Sequence, residues 1–227
     1  MSIDSILQVV LSVVAVFLAI VFHEIAHGYV AWRLGDPTAR SRGRLTLNPL
    51  AHVDPIGTVL IPLTLAVLRY ALNWGVPLFG WAKPVPINPS YFRNPLRGML
   101  YVAIAGPGTN LALALVSAGI FRGLLAVVPA TAIGEAAGFS GYMLEWLFFL
   151  LAAFVIYNLV FCFLNLIPIP PLDGSRILLY FLPAHWRRGL LSIERYGLFI
   201  MLGLIYVGGL SFVFRGAQRL SSLLLGI

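Results

Sequence analysis

The sequence predicts an all-α integral membrane protein: about four transmembrane helices, a re-entrant segment and possible short interfacial β-strands. Three observations carry this. Of 227 residues, 60% are hydrophobic and 10% charged, with a mean hydropathy of +0.94, whereas a soluble domain carries about 25% charge. Apolar runs long enough to cross a bilayer, about 20 residues each, recur at Ile6 to Tyr29, Gly98 to Val128, Gly141 to Leu166 and Tyr196 to Phe214. The polar segments beside them are short and rich in arginine, the pattern that orients a chain in a membrane.

The charge balance narrows the class of partner. Fifteen Lys and Arg face eight acids, a net +7, and because the basic residues flank apolar runs they point to anionic lipid headgroups. Nucleic acid is excluded as a partner, since no basic and aromatic single-strand platform and no helix-turn-helix pattern appears. Cys162 is the single cysteine, so neither a disulfide framework nor a multi-thiolate metal site can form. The first apolar run lacks a basic leader and contains the chain's most chemical motif, which argues against a cleaved signal peptide. With no internal repeat and no appended soluble segment, residues 1–227 read as one membrane-embedded domain, its core at about 6–182 and a C-terminal helix at about 195–215.

That motif is Val21-Phe22-His23-Glu24-Ile25-Ala26-His27-Gly28. On a helix His23 and His27 lie one turn apart and leave the same face, with Glu24 about 100° round from His23. This is the H-E-x-x-H arrangement: two nitrogen ligands for zinc and a carboxylate placed to act on water. The same residues could instead be core histidines bonded to backbone or to each other. Burying three ionisable groups in hydrocarbon costs several kcal/mol without compensation, which favours the metal reading. Arg33, Arg40, Arg42 and Arg44 follow the run at once, so the motif belongs near the cytoplasmic surface.

Arg40 to Asn48 alternates in polarity and contains a glycine, consistent with an extended strand or hairpin at the interface or with a solvated basic loop. His52 can bind zinc by residue type, but a histidine beside Asp54 in a turn is more commonly a surface residue. Ile56 to Leu68 is short for a span and holds Pro62. Trp74, Pro77, Trp81, Lys83, Pro84, Pro86 and Pro89 then form a segment of interfacial character.

The second long run contains Ala105-Gly106-Pro107-Gly108-Thr109-Asn110, a kink with close backbone approach, and Gly106, Asn110, Ala114 and Ala118 share a small-residue face for helix packing. Pro129 to Ser140 is a loop without Lys or Arg. The third run ends in Asn165-Leu166-Ile167-Pro168-Ile169-Pro170-Pro171-Leu172-Asp173-Gly174. On spacing alone Asp173 is either the N-cap of a short helix from Ser175 to Phe181 or a metal ligand, the cap being favoured. Arg176, Arg187, Arg188 and Arg195 return to the cytoplasmic side before the last run.

These three motifs, in this order, resemble the site-2 protease family of intramembrane zinc metallopeptidases, in its compact prokaryotic branch without a PDZ or CBS domain. The resemblance extends over about residues 6–182. It implies that Asp173 is the third zinc ligand beside His23 and His27, with one Zn2+ per chain and a fourth position for water. It further implies that Glu24 takes the proton of that water, and that Asn165 matches a family asparagine near the metal, a candidate oxyanion donor; Asn110 is the weaker candidate. The expected activity is hydrolysis of a peptide bond within or near a transmembrane helix of a membrane-protein substrate. Such a helix must first be unwound, and an edge strand at Arg42 to Leu47 or Val85 to Asn88 could hold it extended. Two other classes compete. A membrane zinc carrier predicts polar ligands across the whole membrane, and a non-catalytic scaffold predicts loss of Glu24 or of a ligand; the sequence has neither feature.

Parity sets the topology. The first and third spans end on the cytoplasmic side, where His23, His27 and Asp173 must meet, so the second starts there. Ile56 to Trp81 therefore makes an even number of crossings, and its two short pieces suit a segment that dips in and returns.

Overall fold

The computed structural model describes residues 3–61, 64, 82–134 and 138–227. Most of the expected re-entrant segment, including Arg69 to Trp81, lies outside the described residues, as does Glu135. The first helix, α1 (Ile3–Arg33), carries Asp4 in its first turn and Arg33 in its last, each matched to the helix dipole. It stops where Gly35 takes φ +105° and Asp36 N donates back to Ala31 O at 3.0 Å, a glycine-dependent C-cap.

Among the described residues no strand forms. The stretch expected to be extended instead opens with a short helix, α2 (Thr38–Ser41), and continues as turns. Turn bonds claim the backbone groups that a ladder would have used: Arg42 N donates to Thr38 O, Gly43 N to Arg40 O and Arg44 N to Ala39 O, with Gly43 at φ +65°, while the Arg44 guanidinium reaches the carbonyls of Ala51, Lys83 and Pro84. Arg44 is buried, so the solvated-loop alternative also fails at that residue. Asp54 caps the Pro55–Leu60 turn of helix by accepting from Ile56 N and Gly57 N.

Two long helices complete the core. The first, α3 (Pro95–Val127), starts with Pro at its first position and Asn94 Oδ1 accepting from Arg97 N at 3.0 Å. The second is α4 (Gly138–Asn165). α1, α3 and α4 pack mutually, and the small-residue face of α3 is buried as expected: Gly106, Asn110, Ala114 and Ala118 all lie inside. Beyond the proline-rich exit come α5 (Asp173–Phe181), α6 (Ala184–Ile193), α7 (Gly197–Tyr206) and α8 (Ser211–Leu225). Among the described residues, four helical stretches, Ile6–Arg33, Pro95–Val127, Gly138–Asn165 and Ala184–Tyr206, are long and apolar enough to cross a membrane.

The C-terminal region departs from the expected run at Tyr196 to Phe214. Helix α7 ends at Tyr206 in a turn where Gly208 has φ +69°, which L side chains adopt with difficulty. α8 then turns back, and its Ala217 and Leu225 join Ala114, Ala118 and Phe121 of α3 with Phe148, Val155 and Leu159 of α4 in one buried cluster.

Candidate metal centre

The centre is built where α1, α3 and the start of α5 meet. His23 and His27 are buried, 7% exposed each, with ring planes at 90° and centroids 4.5 Å apart. Helix α3 dictates their protonation. Asn110 Nδ2 donates to Ala19 O at 3.2 Å and to Asn158 Oδ1 at 2.8 Å, which turns its Oδ1 toward His23. His23 Nδ1 must then be the donor in the 2.6 Å bond to that oxygen. His27 Nδ1 likewise donates to Val102 O of the same helix α3 at 2.7 Å.

With both Nδ1 atoms protonated, the neutral rings present bare lone pairs at Nε2. Those two nitrogens lie 2.9 Å apart, and Asp173 Oδ2 stands 3.1 Å from one and 3.3 Å from the other. Three electron pairs facing one another in a buried space repel, so the triangle requires positive charge at its centre, either protons or a metal ion. Asp173 Oδ2 is buried and accepts no further hydrogen bond. Burial by itself would raise the Asp173 carboxyl, but where protons supply that charge the adjoining His23 and His27 hold it below the usual carboxylate range. All three ligating atoms lie within 4.8 Å of one another, and among the described residues this is the one such group able to hold a metal. Two imidazoles and a carboxylate are a donor set suited to zinc.

Local sequence explains how the groups converge. Gly106 lets α3 lie directly against the two rings, since a Cβ there would sit 2.5 Å from His23 Cε1 and 2.6 Å from His27 Nε2. Gly174 lets α5 start tight beneath the exit of α4, where a Cβ would strike the Ile167 carbonyl. Asp173 is thereby the first residue of α5, with Leu172 at the cap position and no side-chain cap bond. The capping role favoured on spacing is absent, because the carboxylate is turned toward the histidines.

The other candidates are placed differently. Glu24 Oε2 accepts from Val85 N at 2.7 Å. Asn165 Nδ2 donates to Phe161 O of its own helix at 3.1 Å. His52 is buried, not a surface residue, and its Nε2 bonds Thr46 O at 2.9 Å, outside the metal group. Sequence reasoning missed that Asn110 and Asn158 orient His23. The available signal was two asparagines in otherwise apolar spans, which seek hydrogen-bond partners in lipid.

Comparison with known proteins adds independent support. A profile described as "Peptidase family M50" matches residues 131–208. The chain is 39% identical to "Putative zinc metalloprotease YwhC" of Bacillus subtilis, over 84% of this chain and 77% of that protein. It is 32% identical to "Putative zinc metalloprotease Rip2" of Mycolicibacterium smegmatis, over 88% of this chain and 71% of that one. No solved structure matches significantly. With the centre on α1, α3 and α5, and similarity of this extent along the whole core, the chain belongs to peptidase family M50, the site-2 protease family.

Proposed function

We propose that the protein is an intramembrane zinc metalloprotease, cleaving a peptide bond within or near a transmembrane helix of a membrane-protein substrate. The observation that carries this is the convergence of two Nε2 lone pairs and a carboxylate oxygen on one point inside an apolar span. His23, His27 and Asp173 hold the zinc. When bound there, zinc supplies a Lewis acid for a peptide carbonyl and lowers the pKa of a coordinated water to about 7.

Everything else is done by the chain's own side chains. Glu24 takes the proton from the attacking water and returns it to the leaving amine. Its Oε2 is engaged by Val85 N–H, which leaves Oε1 for that exchange. Asn165 stabilises the oxyanion after its amide turns from Phe161 O toward the site. Positive-inside reasoning puts the site toward the cytoplasmic face of the cell membrane, because Arg33, Arg40 and Arg42 follow the motif.

Glu24→Gln is the direct test. It leaves the three ligands intact, so zinc stays near one per chain while cleavage of a membrane-tethered substrate is lost. Wild-type turnover by that variant would refute the peptidase mechanism; loss of zinc with Glu24→Gln would make Glu24 part of the ligand set.

A further inference from the structure

A carboxylate that shuttles protons has to be held, and among the described residues the hydrogen-bond partner of Glu24 is a main-chain group, the Val85 N–H at 2.7 Å. Val85 stands between Pro84 and Pro86, which carry no N–H and have φ fixed by their rings. It is therefore the one donor in that tripeptide, on a backbone with little freedom to turn away.

Side chains and carbonyls clamp segment 82–88 on both sides of this donor. On one side Lys83 N donates to His52 O at 3.0 Å, and Arg44 donates to the carbonyls of Lys83 and Pro84. On the other, Asn88 N donates to Asp36 Oδ2 at 2.6 Å. Asp36 is 0% exposed, and its other oxygen accepts from Thr38 N and Thr38 Oγ1. A fully buried carboxylate is costly unless donors surround it, and here the third donor comes from this segment. The Val85 side chain presses on Gly28, where a Cβ would meet Val85 Cγ1 at 2.8 Å. Gly28 lies one turn after Glu24, on the same side of α1.

We propose that segment 82–88 is a positioning strap for the catalytic base: Val85 N–H fixes Glu24 Oε2, and Asp36, through Asn88 N, sets the register in which it does so. The inference rests on the peptidase reading above and adds to it two positioning residues outside the motif. A strap that served only to pack against α1 would depend on the Val85 side chain and not on its N–H.

The experiment removes that N–H; the ester also weakens the Pro84 carbonyl, whose bond from Arg44 Nη2 at 3.3 Å is the longer of the two that this nitrogen makes. Val85 is replaced by its α-hydroxy acid through suppression of a stop codon in the full-length chain, converting one amide to an ester; valine inserted by the same route is the control. Turnover of a membrane-tethered substrate in reconstituted bilayers and zinc per chain are both measured. The expected result is a kcat lower by roughly 10- to 100-fold, as for removal of a partner that orients a metal-site group, with KM unchanged and zinc still near one per chain. This is the signature of an interaction realised in the transition state. Asp36→Asn, which removes one of the acceptor oxygens, is expected to give the same split through loss of register, and it decides the matter should the ester protein fail to accumulate. An unchanged or raised kcat would overturn the proposal, the latter by showing that Val85 restrains the base; loss of zinc alongside kcat would overturn it too, by making the strap a support of the metal centre. Wild type and Glu24→Gln run in the same assay separate these outcomes from failure of the peptidase reading, which would appear as activity in Glu24→Gln.

Discussion

Gly106→Ala tests the metal centre at its tightest point. An added Cβ would lie 2.5 Å from His23 Cε1 and 2.6 Å from both His27 Cε1 and His27 Nε2, against ordinary carbon contacts of about 3.5–4.0 Å. Relief demands a shift of about 1 Å by the rings or by the helix. The rings cannot yield freely, because their Nδ1 atoms are tied at 2.6 and 2.7 Å to Asn110 and Val102 of the same helix. If α3 retreats, both bonds stretch; if the rings turn, Nε2 leaves the ligand positions. Overpacking of this kind costs about 1–3 kcal/mol, and misplaced histidine partners lower metal affinity roughly 10- to 100-fold. Alanine otherwise favours a helix over glycine by about 1 kcal/mol, so Gly119→Ala, where a Cβ meets nothing within 4 Å, should be neutral or stabilising. Zinc titration against a competing chelator, with thermal unfolding of the three proteins, reads both effects. Wild-type zinc affinity in Gly106→Ala would refute the geometry of the centre.

Three further outcomes follow from the same structure. Asp173→Ala should lower zinc content, whereas His52→Ala should leave it near one per chain; metal analysis giving the opposite ranking would exchange their roles. Asn110→Ala removes the acceptor of His23 Nδ1 and the donor to Asn158 Oδ1, so zinc affinity should fall roughly 10- to 100-fold, with the largest loss at low free zinc; an unchanged titration would mean that His23 does not need this partner. In a Cys162→Ala background, Asn73→Cys should resist an impermeant thiol reagent added from outside, and labelling there would replace the re-entrant reading with two full spans.

The sequence determined what depends on neighbours along the chain. Hydropathy over about 20 residues identifies a span whatever its tertiary partners, so α1, α3 and α4 were readable, and helical periodicity alone put His23 and His27 on one face. The run at Tyr196 to Phe214 was misread because Gly208 breaks it by a positive φ, which hydropathy does not register. The strand expectation failed for a related reason: alternation does not register the turn at Gly43, φ +65°, where the N–H groups of Arg42, Gly43 and Arg44 close back on Thr38, Arg40 and Ala39. Only the tertiary structure ruled out the cap for Asp173, by turning its oxygen toward Nε2 atoms of a distant helix. The tautomers of both histidines, set by Asn110 and Val102, and the hold of Val85 on Glu24 were equally out of reach of the sequence. Each is a hydrogen bond between segments far apart in the chain, and no local pattern of residue types encodes which donor will meet which acceptor once the helices have packed.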